Sequence, residues 1–337
     1  MKRSVIRGTG RCIPSRCVTN DDLSKMMDTN DEWIQQRTGI KTRHWVPEGE
    51  IVGASDLALE AAKKALDKAG WEAEELDLII FATLSPDIFF PGSGCLLQAK
   101  LGLSETPALD IRQQCTGFLY GMGTADAYIR SGMYNKILVI GAEVHSTGLD
   151  KTTAGRDVAV LFGDGAGAVC LEGIETEKNV GIIGTILKAD GKFADKLMLE
   201  LPASKYPERI NAELLKTGGQ FPTMDGTRIF KLALRKLPEV TREVLEQAGM
   251  SLEEIDMVIP HQANLRINEA YQKTLGLPDD KIFNNIQKYG NTTAATIPIA
   301  LDETIEQGLV DPESSTVLFS ALGAGLTWAA MIYRFGD

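Results

Sequence analysis

The sequence predicts a duplicated α/β fold, two similar halves related by an internal pseudo-twofold, and two observations predict it. A helix–turn–strand unit occurs twice, and a second helix–strand unit follows each copy in the same order. In the first unit, Ala65-Leu66-Asp67-Lys68-Ala69-Gly70 precedes Glu75-Leu76-Asp77-Leu78-Ile79-Ile80. Its counterpart is Val244-Leu245-Glu246-Gln247-Ala248-Gly249 before Glu254-Ile255-Asp256-Met257-Val258-Ile259. Gly70 and Gly249 stand 179 positions apart, as do Asp77 and Asp256. Each copy reads as an amphipathic helix closed by a C-terminal glycine, an acidic turn, and a short apolar run suited to a buried parallel strand.

The second unit repeats at an offset of 176. Cys115-Thr116-Gly117 opens a helix ending at Gly132, and Asn291-Thr292-Thr293 opens one ending at Gly308. The strand-like runs KILVIGAE and STVLFSA follow. The three-residue slip between offsets falls in loops. Alternating helices and buried strands imply α/β layers, with halves at 1–175 and 176–337. Under this duplication Cys115 and Asn291 are equivalent, each at the first turn of a helix.

Composition bounds the function. The chain has 337 residues, 46 acidic and 35 basic side chains, and a net charge of −11. Hydrophobic residues at 44% and charged residues at 24% are ordinary for a globular protein and exclude disorder and collagen-like architectures. The acidic total argues against general nucleic-acid binding, which depends on neutralising phosphates. No apolar run reaches the length of a membrane span, and MKRSVIRGTGRCIPSR lacks the apolar stretch of a secretory signal. Five scattered cysteines without a CxxC pair give neither a disulfide framework nor a zinc site. A reduced, cytoplasmic protein without a metal is expected.

Cys115 carries the strongest chemical signal. A thiol where a strand-like run turns into a helix meets unpaired N–H groups and the positive end of the helix dipole, which favour thiolate. Such a thiolate is a good acyl acceptor; the alternative is a small buried hydrophobe, the reading kept for the other four cysteines. His261, in Pro260-His261-Gln262-Ala263-Asn264, directly follows the second copy's strand, and ligands of open α/β sheets sit beyond the carboxyl ends of strands. His44 and His145 read as core or surface residues. Asn291 is either an N-cap or, through its equivalence with Cys115, an amide donor for a developing enolate oxygen.

Two glycine-rich strings stand out. Gly163-Asp164-Gly165-Ala166-Gly167 has apolar runs on both sides and no following helix, so it reads as strand–turn–strand and not as a dinucleotide cradle. Ala321 to Trp328, containing Gly323 and Gly325, is either a close backbone approach to a ligand or a bulge. Arg228, Lys231 and Arg235 recur at i, i+3 and i+7 on one helical face. That face is either simply solvated or a dock for an acidic partner.

Taken together these motifs resemble the β-ketoacyl-acyl carrier protein synthase III enzymes of the thiolase superfamily over nearly the whole chain. The resemblance rests on Asp31-Glu32-Trp33-Ile34, Arg37-Thr38-Gly39-Ile40, Cys115-Thr116-Gly117-Phe118, Phe162 to Ala168, Pro260 to Arg266, Gly290-Asn291-Thr292 and Gly323 to Trp328. It implies a thiolase-like five-layered αβαβα fold, a homodimer and a Cys115–His261–Asn291 triad. The implied reaction is acyl transfer from acyl-CoA to Cys115, then decarboxylative Claisen condensation with malonyl-acyl carrier protein, initiating fatty-acid synthesis without a cofactor. His261 and Asn291 would hold the enolate oxygen, and the N–H groups of Cys115 and the Gly323 segment the tetrahedral oxyanion. The family pattern further implies that Trp33 and Arg156 sandwich the CoA adenine with Arg37 and Thr38 nearby, and that Asn264 lines the pantetheine tunnel. It places Lys231 and Arg266 against the carrier protein, in agreement with the stripe Arg228, Lys231 and Arg235 as a docking face, and Phe90 in the partner subunit's acyl pocket.

The sequence departs from that pattern at Thr227, at Arg112-Gln113-Gln114 and at Gly323-Ala324-Gly325-Leu326, around the acyl and pantetheine channels. The starter acyl group is therefore left open. Alternatives are a related synthase using a longer acyl-CoA in a secondary-metabolite pathway, a non-catalytic partner subunit and a thioesterase. The intact triad speaks against the second; the basic stripe and enolate-stabilising Asn speak against the third.

Overall fold

The structure, a computed structural model, describes residues 1–336. The elements that build the first half are β1 (Lys2–Cys12), α1 (Asp31–Thr38), α2 (Ala54–Ala69), β2 (Leu78–Ala82), β3 (Ala108–Ile111), α3 (Gly117–Ser131), β4 (Lys136–Glu143) and β5 (Gly165–Glu175). Those of the second are β6 (Gly181–Ala189), α4 (Gly226–Ala248), β7 (Met257–Pro260), α5 (Leu265–Leu275), α6 (Thr296–Glu306), β8 (Thr316–Gly323) and β9 (Thr327–Arg334).

The two sheets repeat one topology. The first runs β1-β5-β4-β2-β3, antiparallel up to β4 and parallel from there. The second runs β6-β9-β8-β7 with the same sequence of senses, and a parallel bridge from Val258 to Ile282 stands where β3 stands in the first. The helix-closing glycines of the repeat, Gly70 and Gly249, have φ of 68° and 64°, left-handed values that glycine adopts without a Cβ penalty.

Alternation along the strands sorts the apolar residues into layers, since successive side chains face opposite sides of a sheet. Leu78 and Ile80 of β2 face inward onto Phe118, Met122 and Ile129 of α3. Ile79 and Phe81 face outward onto the alanine-rich stripe of α2. In the second sheet, Val317 and Phe319 face the inner cluster, which includes Ile297 and Leu301 of α6, while Leu318 faces α4. The result is α2, first sheet, α3 with α6, second sheet, then α4 with α5, the five-layered αβαβα architecture.

Two local expectations are corrected. The first turns of the central helices match at an offset of 179, not 176, so Cys115 corresponds to Ala294 and Asn291 lies three residues earlier; the slip arises because α6 is shorter than α3, and not in a loop. The apolar run before Gly163 is no strand: Arg156–Ala159 is a helical turn, and Phe162 makes a single parallel bridge to Asn291. The run is apolar because it packs with Trp45 and Ile34 in a separate cluster.

Candidate active site

The two central helices bring Cys115 and Asn291 to the same region. Cys115 sits in a 3-10 turn, Gln114–Thr116, between β3 and α3, and is buried. The turn requires φ of +44° at Gln114. Asn291 is held by the first half: its N–H donates to the Leu161 carbonyl at 2.8 Å, and Gly163 N–H donates to its carbonyl at 3.1 Å. The Asn291 Oδ1 accepts from Thr293 N–H at 2.8 Å, which turns the amide Nδ2 the other way. His261 follows β7, its N–H bonded to the Ser320 carbonyl at 2.7 Å. Its Nδ1 lies 2.6 Å from Thr296 Oγ1, and its Nε2 is buried with no protein partner.

Electrostatics correct one expectation. The helix terminus predicts a thiolate, yet burial, reinforced by the Glu143 carboxylate, pushes the Cys115 thiol up to about 12. The N–H groups of Ala324 and of Cys115 itself pull the other way, more weakly. Burial holds the His261 imidazole down to about 3, so the ring is neutral. Glu143 is pushed up to about 7 by burial, against hydrogen bonds from Thr83, Leu84 and Ser85.

Cys115 lies where two cavities meet. One, of about 590 Å³, is lined by Cys115, His261 and Asn291 and continues past Asn264 and Thr227 to Trp33 and Lys231. The other, of about 640 Å³, leads away from Cys115 between Leu84, Phe89, Leu149 and Leu199. Arg112, Gln114, Ala324 and Gly325 border the second, so two of the three departures in sequence fall on its wall, while Thr227 lines the first. Gly323 permits the junction: a Cβ there would stand 2.5 Å from Cys115 Cβ and 2.8 Å from its Sγ. The donor from this segment that reaches the sulfur is Ala324 N–H, while Gly323 pairs with Thr327 in the β8–β9 ladder.

At the outer end of the first cavity, Arg37 and Arg156 both stand over the Trp33 ring, at 4.2 and 5.2 Å from its centroid. Thr38 is buried and spends its hydroxyl on the Ile34 carbonyl. Asn264 caps α5 and donates to the Arg37 carbonyl at 3.0 Å. Arg228, Lys231 and Arg235 are exposed along α4, but only Lys231 lines the cavity. Arg266 is different: its guanidinium bonds the Gln35 and Gln36 carbonyls and Glu269, bracing α5 against α1. Phe90 is 73% exposed and lies outside both cavities.

Sequence reasoning passed over four residues at the site. Thr296 touches His261, Ala324 reaches the sulfur, and Glu143 lies behind it. His145 is buried, lines the second cavity and bonds Thr293 Oγ1 at 2.8 Å, so it is neither a plain core nor a surface residue. A signal for Glu143 existed, an acidic residue ending an otherwise apolar strand. The others become visible only when distant loops are brought together.

Comparison with known proteins gives the family. Residues 109–191 match the family model for 3-oxoacyl-[acyl-carrier-protein] synthase III, and residues 245–335 match its C-terminal model. A β-ketoacyl-[acyl-carrier-protein] synthase III of Caldanaerobacter subterraneus is 44% identical over 330 residues, covering 98% of this chain and 97% of that protein. One from Neisseria meningitidis is 43% identical over 336 residues, covering 99% and 100%. The crystal structure of the Aquifex aeolicus 3-oxoacyl-[acyl-carrier-protein] synthase III superposes with a TM-score of 0.88 at 44% identity, covering 98% of this chain and all of that one. With the duplicated fold and the cysteine, histidine and asparagine gathered between its halves, the chain belongs to the β-ketoacyl-[acyl-carrier-protein] synthase III family.

Proposed function

We propose that this condensing acyltransferase starts fatty-acid synthesis by joining an acyl-CoA starter to malonyl-acyl carrier protein, with the labour divided as follows. The Cys115 sulfur attacks the acyl-CoA carbonyl, the carbon–sulfur bond to CoA breaks, and the thiol proton ends on the departing CoA sulfur. The acyl group occupies the cavity beside Phe89 and Leu199, leaving the cavity toward Trp33 for the incoming malonyl thioester. The bond from malonyl C2 to its carboxylate breaks, releasing CO2, and the enolate oxygen is held by His261 and Asn291. C2 then attacks the acyl carbonyl. The N–H groups of Cys115 and Ala324 stabilise that oxyanion; its collapse breaks the bond from the acyl carbon to Cys115, releasing the β-ketoacyl-carrier product and a thiolate that takes a proton from water. CO2 release drives the carbon–carbon bond, so the chemistry asks for no redox or metal cofactor.

The observation that carries this reading is the place of Cys115 at the junction of two cavities, one lined by His261 and Asn291 and the other lined by neither. A two-substrate exchange at one sulfur needs such a layout. The exposed cations Arg228, Lys231 and Arg235 support a dock for an acidic carrier, and Trp33, Arg37 and Arg156 a seat for the CoA base. Exposed Phe90 beside exposed Phe89 and Ile88 supports a homodimer that covers this apolar segment. No described helix is long and apolar enough to cross a membrane, and action in the cytoplasm, on CoA and carrier thioesters, fits the reaction.

The test is covalent loading. Incubation with a panel of acyl-CoAs should give a single acyl adduct by intact mass, absent in Cys115→Ser. An adduct persisting in that variant would place the nucleophile elsewhere.

A further inference from the structure

Hydrogen counting at the triad leads to a residue outside it. The buried, neutral His261 ring carries hydrogen on one nitrogen only. Its Nε2 has no protein partner, so whatever that nitrogen offers, it offers to the cavity. The hydrogen's position is decided at Nδ1, 2.6 Å from Thr296 Oγ1.

The Thr296 hydroxyl has one hydrogen and two takers, His261 Nδ1 at 2.6 Å and the Thr293 carbonyl at 3.0 Å. If it goes to the carbonyl, Nδ1 must be the donor and Nε2 turns a bare lone pair toward the substrate oxygen. If it goes to Nδ1, Nε2 carries the hydrogen. The Thr293 carbonyl already accepts the Thr296 backbone N–H, so it is not left unsatisfied when the hydroxyl turns away. Asn291 follows the same logic: its Oδ1 is occupied by Thr293 N–H, which leaves the amide hydrogens for the cavity.

We infer that the Thr296 hydroxyl sets the tautomer of His261 by donating to Nδ1, so that the ring presents Nε2–H beside the Asn291 amide as a matched pair of donors. Thr296 is thus a positioning residue for the decarboxylation half-reaction and has no part in loading Cys115. The inference rests on the enolate role given to His261 above.

The experiment separates the two. The whole protein contains three histidines, so 15N-histidine labelling gives a readable spectrum, in which the signals lost in His261→Ala identify that ring. Two-bond couplings to the ring protons report which nitrogen carries hydrogen. Wild type should show Nε2–H, and Thr296→Val should lose that preference. CO2 release from a malonyl thioester should then fall roughly tenfold to a hundredfold, the scale of a lost oxyanion donor, while acyl-CoA loading stays near wild type. Thr296→Ser should restore both the tautomer and the release. An Nδ1–H ring in wild type would overturn the inference, as would undiminished CO2 release in Thr296→Val or equal loss of both half-reactions in a variant of unchanged Tm. Should wild type fail to decarboxylate malonyl thioesters, the function proposed above fails, while the tautomer spectrum still decides the place of Thr296.

Discussion

Cys115 and Asn291 stand at different steps of one repeated feature. The 3-10 turns Gln114–Thr116 and Thr293–Ala295, and the helices that follow at Gly117 and Thr296, match at an offset of 179, so Cys115 lies within its turn and Asn291 just before its own. At Cys115 the 3-10 turn carries the functional side chain within it, and the sulfur receives the N–H groups of Ala324 and of Cys115 itself. At Asn291 the turn begins two residues later, and the side-chain oxygen is spent on capping it. The duplicated scaffold thus supplies a free sulfur on one side and a fixed amide on the other. Duplication gives the geometry; the local chemistry of each first turn gives the role.

The largest expected effect breaks this comparison outright. Cys115→Ser should abolish acyl loading, because a serine hydroxyl in the same buried turn is far less ionised and less nucleophilic than a thiol. Next, His261→Ala should remove a donor to the enolate, lowering malonyl decarboxylation by about 10²–10³-fold while loading is at least partly retained. Loss of loading with decarboxylation intact would reverse the division of labour between the halves.

The pH profile of loading sharpens the point. With the Cys115 thiol pushed up to about 12, the thiolate is a minor species at neutral pH and its fraction rises tenfold per pH unit below that value. Single-turnover loading should therefore climb steadily from pH 6 to about 9. A plateau beginning below about pH 7 would mean that the helix terminus, and not burial, governs the sulfur.

How much of this was legible in the sequence follows from the range of the forces. The helix-closing glycines, the apolar strands and the 179- and 176-residue offsets are local signals, and they carried the duplication into the five observed layers. Cys115 at the first turn of a helix, and His261 at a strand end, were likewise readable, but the equivalence of Cys115 with Asn291 was not: the offset of 176 holds for the glycines that close the two helices, while their first turns match at 179. Burial of the sulfur was not, since it arises from the β8–β9 turn at Gly323, some two hundred residues away along the chain. For the same reason Thr296 escaped notice and the donor within the Gly323 segment could not be assigned to Ala324, and the run before Gly163 passed for a strand although its apolar side chains serve a helical turn.

Smaller effects probe the surface. Charge reversal at Lys231 and Arg235 should raise the KM for carrier-bound malonate about tenfold at low salt, less at high salt, and spare acyl-CoA loading. Equal loss of both steps would deny the stripe a docking role.

The smallest effect tests the two turns directly. Gln114, which opens the nucleophile's turn, and Gly290, which precedes Asn291, both have positive φ, +44° and +66°. Glycine tolerates this; glutamine does so at a cost of about 1–2 kcal/mol. Gln114→Gly relieves that cost but gives up about 0.5–1 kcal/mol through the freer unfolded chain, so its net stability should change by no more than about 1 kcal/mol, toward stabilisation. Gly290→Ala should go the other way, losing about 1–3 kcal/mol, because its new Cβ would meet the Leu161 carbonyl oxygen at 2.8 Å as well as an unfavourable φ. Denaturant unfolding of the two variants measures both. Opposite signs mean that Gln114 holds a strain that glycine avoids at position 290, whereas matching losses mean that Gln114 contributes packing on the acyl cavity wall large enough to outweigh its backbone conformation.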